Sequence, residues 1–292
     1  MHFLNVDDLT PDELDSVLDT AAAVKAEDAG DDPLAGRSLA MLFEKASTRT
    51  RVSFEVGMTK LGGHAVFLGK DDIQLGRGEP VKDTARALAC YADAVMARVD
   101  DHRTLETLGE YSSIPIINGL SDEAHPVQTL ADLLTIEEAV GGDADVAWVG
   151  DGNNVAASFV VGAAMRGLDV TVATPDAYAL PESVFDRANE YAGDVSTTSD
   201  PEAAVDGADV VYTDVWVSMG DEAEREERLD ALAPYQVSED LLSGTGAKVM
   251  HCLPAHRGEE ITDDVLEGER SLVWQQAENR MHGQNGLLLE LL

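Results

Sequence analysis

Short apolar runs alternate along the chain with segments in which apolar residues recur every three or four positions. The runs SLAMLF, HAVFLG, AVMARV and IPIING lie in the first half, and DVAWVGD, DVTVATP, DVVYTDV and KVMHCLP lie in the second. Short apolar runs bounded by turn residues are typical of buried strands, whereas the longer spacing is typical of amphipathic helices. Strands that alternate with helices form parallel sheets through right-handed crossovers, so the pattern predicts an α/β protein.

Helix start signals support this interpretation. Thr10 precedes Pro11 and Glu13, which gives a capping hydroxyl, a proline at the first helical position and a carboxylate that can reach back to the cap. The predicted buried face of this helix consists of Leu14, Val17, Leu18, Ala21 and Val24. Further helices are predicted at residues 50–61, 80–91 and 102–111, after His125-Pro126, and within the highly charged stretch 219–236, which is a solvent-facing helix or a mobile loop.

The chain of 292 residues is long for a single compact core, and domains of about 130 to 150 residues are the natural expectation. The two series of strands indicate the same division. We therefore predict two domains, each a mainly parallel sheet flanked by helices, and the helix after His125 is placed to bridge them.

The composition is strongly acidic, with 56 Asp and Glu against 20 Lys and Arg and a net charge of −36. This charge disfavours a nucleic-acid partner or an anionic membrane surface, and at ordinary ionic strength it would loosen the fold by self-repulsion. Molar salt shortens the Debye length to roughly 3 Å and screens that repulsion. We therefore predict a salt-rich cytoplasm, and an unusually acidic mesophilic protein remains the alternative.

Other features agree with a cytoplasmic protein. The two cysteines, Cys90 and Cys252, cannot form a disulfide framework, and the N-terminal residues lack the basic and apolar regions of a signal peptide. No apolar run approaches the roughly 20 residues that a membrane helix needs.

Basic residues are concentrated in one region of this acidic chain, since residues 37–103 hold 11 Lys and Arg but 9 Asp and Glu. Within it, the stretch FEKASTRTRVSFEVG places a strand end near Phe43, a hydroxyl-rich turn at residues 47–50 and a helix beginning near Thr50. Free backbone N–H groups and the positive end of the helix dipole would then point at one place. The sequence predicts an anion site there, although it has no nucleotide P-loop motif.

Five segments in order make the chain recognisable: FEKASTRTRVSFEVGMTKLGG, DDIQLGRGE, HPVQTLADLLTI, DVWVSMG and HCLPAHRGEEI. Together they resemble the ornithine carbamoyltransferase family along essentially the whole chain. Members of this family join carbamoyl phosphate to the side-chain amine of L-ornithine and release L-citrulline and phosphate. The resemblance implies this activity, without a cofactor, a metal ion or a covalent enzyme intermediate.

The resemblance also implies the residues that bind carbamoyl phosphate. The phosphate contacts map onto Ser47, Thr48, Arg49, Thr50 and Gln74, the last on a loop that in this family reaches into a neighbouring subunit's site. The carbamoyl contacts and further ligand contacts map onto Arg98, His125, Gln128, Cys252, Leu253 and Arg280. Donors at the carbonyl oxygen suit the chemistry, because attack by an amine puts negative charge there.

The ornithine site maps onto Asn154, Asp214, Ser218 and Met219, with Asp214 facing the α-ammonium group. Cys252 and Leu253 form a corner that orients the attacking amine, where the family often has a cis Leu-Pro bond. The catalytic residues implied by the resemblance are Arg98, His125, Asp214 and Cys252.

The resemblance further implies domain boundaries and assembly. Residues 1–135 would bind carbamoyl phosphate, residues 136–273 would bind ornithine, and residues 274–292 would form a helix that returns to the first domain. A homotrimer is implied, with a higher assembly of trimers left open. Pro80 stands where the family commonly has serine, which leaves the hydrogen bonding of the Gln74 loop open.

The alternative functions differ in the motifs that they would require. An aspartate carbamoyltransferase would carry a lysine in the QLGRGEP loop and an arginine-rich acceptor site, and the acetylornithine and putrescine relatives change the DVWVSMG segment. A nicotinamide-dependent dehydrogenase is disfavoured because VGDGNNVAAS lacks the third glycine of the dinucleotide fingerprint. A non-catalytic phosphate-binding protein would not need the second-substrate motifs.

Overall fold

The computed structural model describes residues 1–27, 30–70, 78–218 and 222–292. They fold into two compact units. Unit 1 consists of Met1–Leu134 and Asn279–Leu292, and unit 2 consists of Thr135–Glu278. Two helices contribute residues to both units, and no helix in the described ranges is long and apolar enough to span a membrane.

Unit 1 is built on a four-stranded sheet in which all neighbouring strands are parallel, in the order β2-β1-β3-β4. The strands are β1 (Ser38–Phe43), β2 (His64–Gly69), β3 (Ala94–Arg98) and β4 (Ile116–Leu120). The helices are α1 (Pro11–Lys25), α2 (Thr48–Lys60), α3 (Val81–Ala89), α4 (His102–Tyr111), the first part of α5 (Pro126–Ala139) and the last part of α11 (Val273–Leu291), with a short 3-10 turn at Val6–Asp8.

The start of α1 follows from its sequence as predicted. The hydroxyl of Thr10 accepts a hydrogen bond from the backbone N–H of Glu13 at 3.3 Å, and the Glu13 carboxylate accepts one from the backbone N–H of Thr10 at 2.8 Å. This reciprocal capping box holds the first turn and lowers the pKa of Glu13. The predicted apolar face is buried at Leu14, Val17, Leu18 and Ala21, whereas Val24 is half-buried.

Unit 2 contains a five-stranded parallel sheet in the order β7-β6-β5-β8-β9. Its strands are β5 (Asp145–Val149), β6 (Asp169–Ala173), β7 (Val195–Thr198), β8 (Val210–Thr213) and β9 (Lys248–His251). Its helices are α6 (Asn154–Met165), α7 (Glu182–Ala188), α8 (Pro201–Val205), α9 (Arg225–Leu232), α10 (Asp263–Leu266) and the remaining parts of α5 and α11, with 3-10 turns at Asp176–Tyr178, Glu222–Glu224 and Ala233–Tyr235.

The predicted two-domain α/β architecture is confirmed, with two differences in detail. Strand β7 was not predicted, because Val195–Thr198 is a polar edge strand with no apolar run. Helix α2 begins at Thr48 rather than near Thr50, because Ser47 caps it. The functional domain boundaries implied by the resemblance stay predictions.

Candidate active site

In unit 1 the chain segments that follow three neighbouring strands begin at the same edge of the sheet. Phe43, the last residue of β1, is in register with Arg98, the last residue of β3, and Arg98 is in register with Leu120 at the end of β4. All three strands run parallel, so their carboxyl ends coincide. Ligands of open parallel sheets bind at this edge, which makes the loops after β1, β3 and β4 the place to look for a site.

The loop after β1 leads directly into the first turn of α2. The hydroxyl of Ser47 accepts a hydrogen bond from the backbone N–H of Thr50 at 3.3 Å, which fixes the entry to the helix. Thr48 is exposed, Arg49 is half-buried and Thr50 is buried. The first-turn N–H groups of a helix lack intrahelical partners and carry the positive end of its dipole, so this turn is suited to bind an anion.

A buried hydrogen-bonded network connects α2, α5 and α11 within unit 1. Arg280 donates to the hydroxyl of Thr50 at 2.8 Å and also donates to the side-chain oxygen of Gln128. The amide nitrogen of Gln128 in turn donates to Asp132 at 2.7 Å. The side chains of Gln128 and Asp132 are fully buried, and Arg280 is 4% exposed. The network therefore holds the guanidinium of Arg280 in a defined orientation beside the capped turn.

His125 lies immediately before α5 and is also buried. Its carbonyl oxygen accepts from the backbone N–H of Gln128 at 2.9 Å, so it occupies the start of the helix. Burial lowers the pKa of His125 well below its ordinary value, and the positive charges of Arg280 and Arg98 lower it further. The imidazole is therefore neutral at neutral pH and can donate one N–H to a ligand.

Arg98 and Arg280 give this cluster its electrostatic character. Both are more than nine-tenths buried and both act on His125, so two positive charges are held close together away from water. Buried charges are costly unless they are paired or hydrogen-bonded. A bound anion with several oxygen atoms fits such a set of donors, as expected for a phosphate or a developing oxyanion.

The other basic residues of the same stretch are engaged elsewhere. Arg51 forms an ion pair with Glu55 at 3.3 Å on the same helix, and its guanidinium lies 3.8 Å from the centre of the Phe67 ring. Lys45 pairs with Asp100 at 3.0 Å. Arg51 therefore supports the helix and strand β2 through its ion pair and its contact with the Phe67 ring.

In unit 2 the centre of the candidate site is Asp214, which follows β8 and is 5% exposed. One of its carboxylate oxygens accepts from the thiol of Cys252 at 2.9 Å, and the other accepts from the side-chain amide of Asn153 at 2.8 Å. Asn153 also caps α6, because its side-chain oxygen accepts from the backbone N–H groups of Val155 and Ala156. The buried carboxylate is thus held in place by two loops at the carboxyl edge of the sheet.

Arg228 of α9 links the loop after β5 to the loop after β8. Its guanidinium lies 3.2 Å from the carboxylate of Asp151 and donates to the carbonyl oxygen of Trp216 at 3.2 Å. It also lies over the ring of Tyr178 at 4.7 Å. The segment between Asp214 and Ser218 is therefore fixed to the loop that begins α6.

The corner after β9 has an unusual backbone. Leu253 has a φ of 59°, in the left-handed region, and the bond between Leu253 and Pro254 is cis, as the resemblance suggested. The backbone N–H of Leu253 donates to Nδ1 of His251 at 2.9 Å. Nε2 of His251 therefore carries the ring proton and donates to Glu260 at 3.0 Å. These bonds hold Cys252 where its thiol reaches Asp214.

The structure gathers most of the residues that the resemblance implied. Within unit 1 it brings together Thr50, Arg98, His125, Gln128 and Arg280, next to Ser47 at the helix cap. Within unit 2 it joins Asp214 to Cys252, while Asn154 is the first residue of α6 and Ser218 is half-buried. Gln74 and Met219 lie outside the described residues. Pro80 is exposed at the start of α3.

Two residues of these networks were missed by sequence reasoning. Asn153 contacts Asp214, and its position immediately before a predicted helix was a signal for a capping asparagine. Asp132 holds the amide of Gln128, and it lies four residues after Gln128 on the same helix face.

Family models, protein sequences and solved structures that match this chain all point to the same family. Residues 1–138 match the family model described as the aspartate/ornithine carbamoyltransferase, carbamoyl-P binding domain, and residues 142–291 match its Asp/Orn binding domain. The chain is 60% identical to an ornithine carbamoyltransferase of Haloquadratum walsbyi and 54% identical to one of Archaeoglobus fulgidus, and each alignment covers 100% of this chain and 97% of the relative. A solved ornithine carbamoyltransferase from Pyrococcus furiosus superposes with a TM-score of 0.94 at 49% identity, covering 98% of this chain and 95% of that one.

Proposed function

The chain belongs to the aspartate/ornithine carbamoyltransferase family, and we propose that it transfers the carbamoyl group of carbamoyl phosphate to the side-chain amine of L-ornithine. The products are L-citrulline and phosphate. The observation that carries the choice of acceptor is the buried carboxylate of Asp214, which is held by Cys252 and Asn153 in unit 2. A fixed carboxylate can pair with the α-ammonium group that ornithine carries besides its attacking amine. Aspartate has a single amine, which is the one that attacks, and its two carboxylates would be repelled.

Carbamoyl phosphate is assigned to unit 1. The phosphate would bind at the first turn of α2, where Ser47, Thr48, Arg49 and Thr50 offer hydroxyl, backbone and guanidinium donors. The carbonyl oxygen would accept from the hydroxyl of Thr50, the guanidinium of Arg98 and the imidazole of His125. Gln128 and Arg280 complete the carbamoyl contacts. The buried network through Arg280 supports this assignment because it orients these donors before a ligand arrives.

The reaction needs no covalent intermediate. The amine nitrogen attacks the carbonyl carbon, the bond between that carbon and the bridging phosphate oxygen breaks, and the amine loses one proton. Negative charge develops first on the carbonyl oxygen and then on the departing phosphate. Each well-placed donor at the oxyanion contributes about 3 to 4 kcal/mol to lowering the barrier in comparable sites.

Ornithine is assigned to unit 2. Asp214 would pair with the α-ammonium group, and Asn154, Ser218 and Met219 would hold the rest of the amino-acid end. Cys252 and Leu253 would orient the attacking amine through the thiol and the backbone carbonyls, and Asp214 with Cys252 would form the environment in which the amine loses its proton. The direct bond between these two side chains supports a shared role.

The wider setting is also part of the proposal. A homotrimer in which Gln74 reaches a neighbouring subunit's site, a cytoplasmic location and a role in arginine metabolism follow from the family resemblance. Adaptation to high salt follows from the net charge of −36 and from the similarity to a Haloquadratum relative. Activity is expected to rise as KCl is raised into the molar range.

The test is an assay of citrulline formation from carbamoyl phosphate and L-ornithine in molar KCl. Wild-type protein is expected to form citrulline, and an Arg98→Ala variant is expected to lose about 100-fold or more of its turnover while remaining folded. Binding of carbamoyl phosphate without citrulline would instead favour a phosphate-binding protein, and near-normal turnover in the variant would remove the role of Arg98.

A further inference from the structure

A cluster of three metal-ligating side chains lies in the loop after β9, outside the proposed active site. It consists of His256, Glu259 and Glu260, and one ligand atom from each lies within 4.8 Å of the others. We propose that this cluster binds one divalent transition-metal ion of the zinc class. The ion would be structural, and it is separate from the carbamoyl-transfer chemistry.

Glu260 provides the first independent support. Its side chain is fully buried. Oε1 accepts from the backbone N–H of His256 at 2.6 Å and from Nε2 of His251 at 3.0 Å, whereas Oε2 is buried with no hydrogen-bond partner among the described residues. An unpartnered buried carboxylate oxygen is costly, and a cation would satisfy it.

Glu259 likewise has one carboxylate oxygen that is paired and one that is not hydrogen-bonded within the described residues. Oε1 is paired with Arg225, while Oε2 is buried and has no hydrogen-bond partner in the described part of the chain. Nδ1 of His256 lies 3.6 Å from this Oε2. Two carboxylates with an unused oxygen therefore accompany one imidazole in the same small volume.

This combination of ligands selects the class of ion. Imidazole nitrogen suits Zn²⁺ and its first-row neighbours better than Mg²⁺ or Ca²⁺, and carboxylate oxygen completes such sites. Ligand atoms lie about 2.0 to 2.2 Å from Zn²⁺, so the side chains must move inward by about 1 Å from their present separation. The side chains of His256 and Glu259 are 43% and 24% exposed, which leaves them room to do so.

A bound ion would act on the proposed ornithine site through the backbone. Glu260 holds His251, and His251 accepts from the backbone N–H of Leu253. An ion bound to Glu260 would therefore help to fix the corner that carries Cys252, through His251 and Leu253. We expect the ion to raise the thermal stability of the folded protein, as any ligand of the native state does.

A second set of side chains competes as a metal site and must be distinguished. Asp214, His251 and Cys252 also have ligand atoms within 4.8 Å of one another. However, the thiol of Cys252 already donates to Asp214, and both ring nitrogens of His251 are engaged. The loop cluster, defined as His256, Glu259 and Glu260, offers the unused oxygens.

The experiment is a titration of the full-length protein, stripped with chelator and dialysed, with Co²⁺ as a spectroscopic probe for Zn²⁺. We expect one equivalent to bind with a visible ligand-field band and without the near-ultraviolet thiolate band that a cysteine ligand gives. His256→Ala and Glu259→Gln are expected to weaken binding by about tenfold or more. Glu267→Gln is the matched control, because Glu267 is likewise paired with an arginine, Arg257, but lies outside the cluster.

Thermal unfolding with Zn²⁺ gives a second measurement. The midpoint should rise for the wild type and for Glu267→Gln but not for His256→Ala, whose half-exposed side chain can be removed without unfolding the chain. The proposal is wrong if no saturable binding occurs or if His256→Ala binds Co²⁺ as tightly as the wild type. A thiolate band that Cys252→Ser abolishes would also overturn it, because the ion would then occupy the competing set.

Discussion

Arg280 donates a hydrogen bond to the hydroxyl of Thr50 at 2.8 Å, although the two residues are 230 positions apart in the sequence. The same guanidinium donates to Gln128, so one side chain of the C-terminal helix organises two other helices of unit 1. Planar, forked donors of this kind cannot be replaced by the point charge of a lysine.

The first prediction concerns the two hydrogen bonds that the Arg280 guanidinium donates to Thr50 and Gln128. Arg280→Lys keeps the charge but loses one of the two bonds, so the KM for carbamoyl phosphate should rise by about tenfold, or 1.4 kcal/mol. Arg51→Lys is the matched control from the same basic stretch, since Arg51 is paired with Glu55 on the surface of α2 and such pairs contribute little. Steady-state kinetics would contradict the assignment if both variants changed this KM equally.

The second prediction concerns the pH dependence of stability. The pKa of His125 is lowered in the folded protein by burial and by Arg280 and Arg98, whereas the unfolded chain titrates near 6.5. Below that pH the unfolded state binds more protons, so the free energy of unfolding should fall as the pH drops. The contribution of His125 to this slope approaches about 1.4 kcal/mol per pH unit.

Denaturant unfolding of the wild type and of His125→Gln at several pH values measures this contribution. The variant should show a shallower decline below about pH 6.5, whatever its absolute stability. Identical slopes for the two proteins would mean that His125 is not held neutral by its surroundings.

The third prediction concerns the loop between β5 and α6. A Cβ atom on Gly152 would lie 2.6 Å from the carbonyl oxygen of Tyr178 and 2.7 Å from the backbone nitrogen of Leu180, and neither backbone can yield easily. Gly152→Ala should therefore destabilise the protein by about 1 to 3 kcal/mol and displace Asn153 from Asp214, which raises the KM for ornithine.

Gly246→Ala is the control for this change, because a Cβ atom there meets nothing within 4 Å. Its free energy of unfolding and its ornithine KM should stay close to the wild type. Equal losses in both variants would show that the close approach at Gly152 has no special role.

The fourth prediction concerns the bond between Cys252 and Asp214. Cys252→Ala removes the donor to a buried carboxylate, and kcat/KM for ornithine should fall by about tenfold or more. Cys252→Ser restores a donor and should recover part of the loss. If serine and alanine behave alike, hydrogen bonding to Asp214 is not the function of the thiol.

Much of the fold could be predicted because buried parallel strands are continuous apolar runs. SLAMLF became β1 without a change of boundary, and DVAWVGD contains β5. Strand β7 could not be found this way, because Val195–Thr198 is half-exposed at a sheet edge and has three consecutive polar residues after Val195. The local pattern of such a strand does not differ from that of a loop.

The site was predictable only in part, because local sequence patterns reveal contacts between neighbouring residues but not contacts between distant segments. Ser47 to Thr50 are adjacent in sequence, and their capped turn follows from local rules. The approach of Arg280 to Thr50 depends on the packing of helices far apart in sequence, and only the family resemblance suggested it. The pairing of Asn153 with Asp214 joins two loops, so no local pattern gives it.

The proposed function requires that the two substrates bind to different units, with ornithine bound by Asp214 of unit 2. Steady-state kinetics of Asp214→Asn, with each substrate varied at saturation of the other, tests it most directly, and Asp240→Asn serves as an exposed control in the same unit. We predict an ornithine KM raised by about tenfold or more, equal to 1.4 kcal/mol or more, with the KM for carbamoyl phosphate close to the wild type. An unchanged ornithine KM, or a rise confined to the KM for carbamoyl phosphate, would show that Asp214 does not bind ornithine.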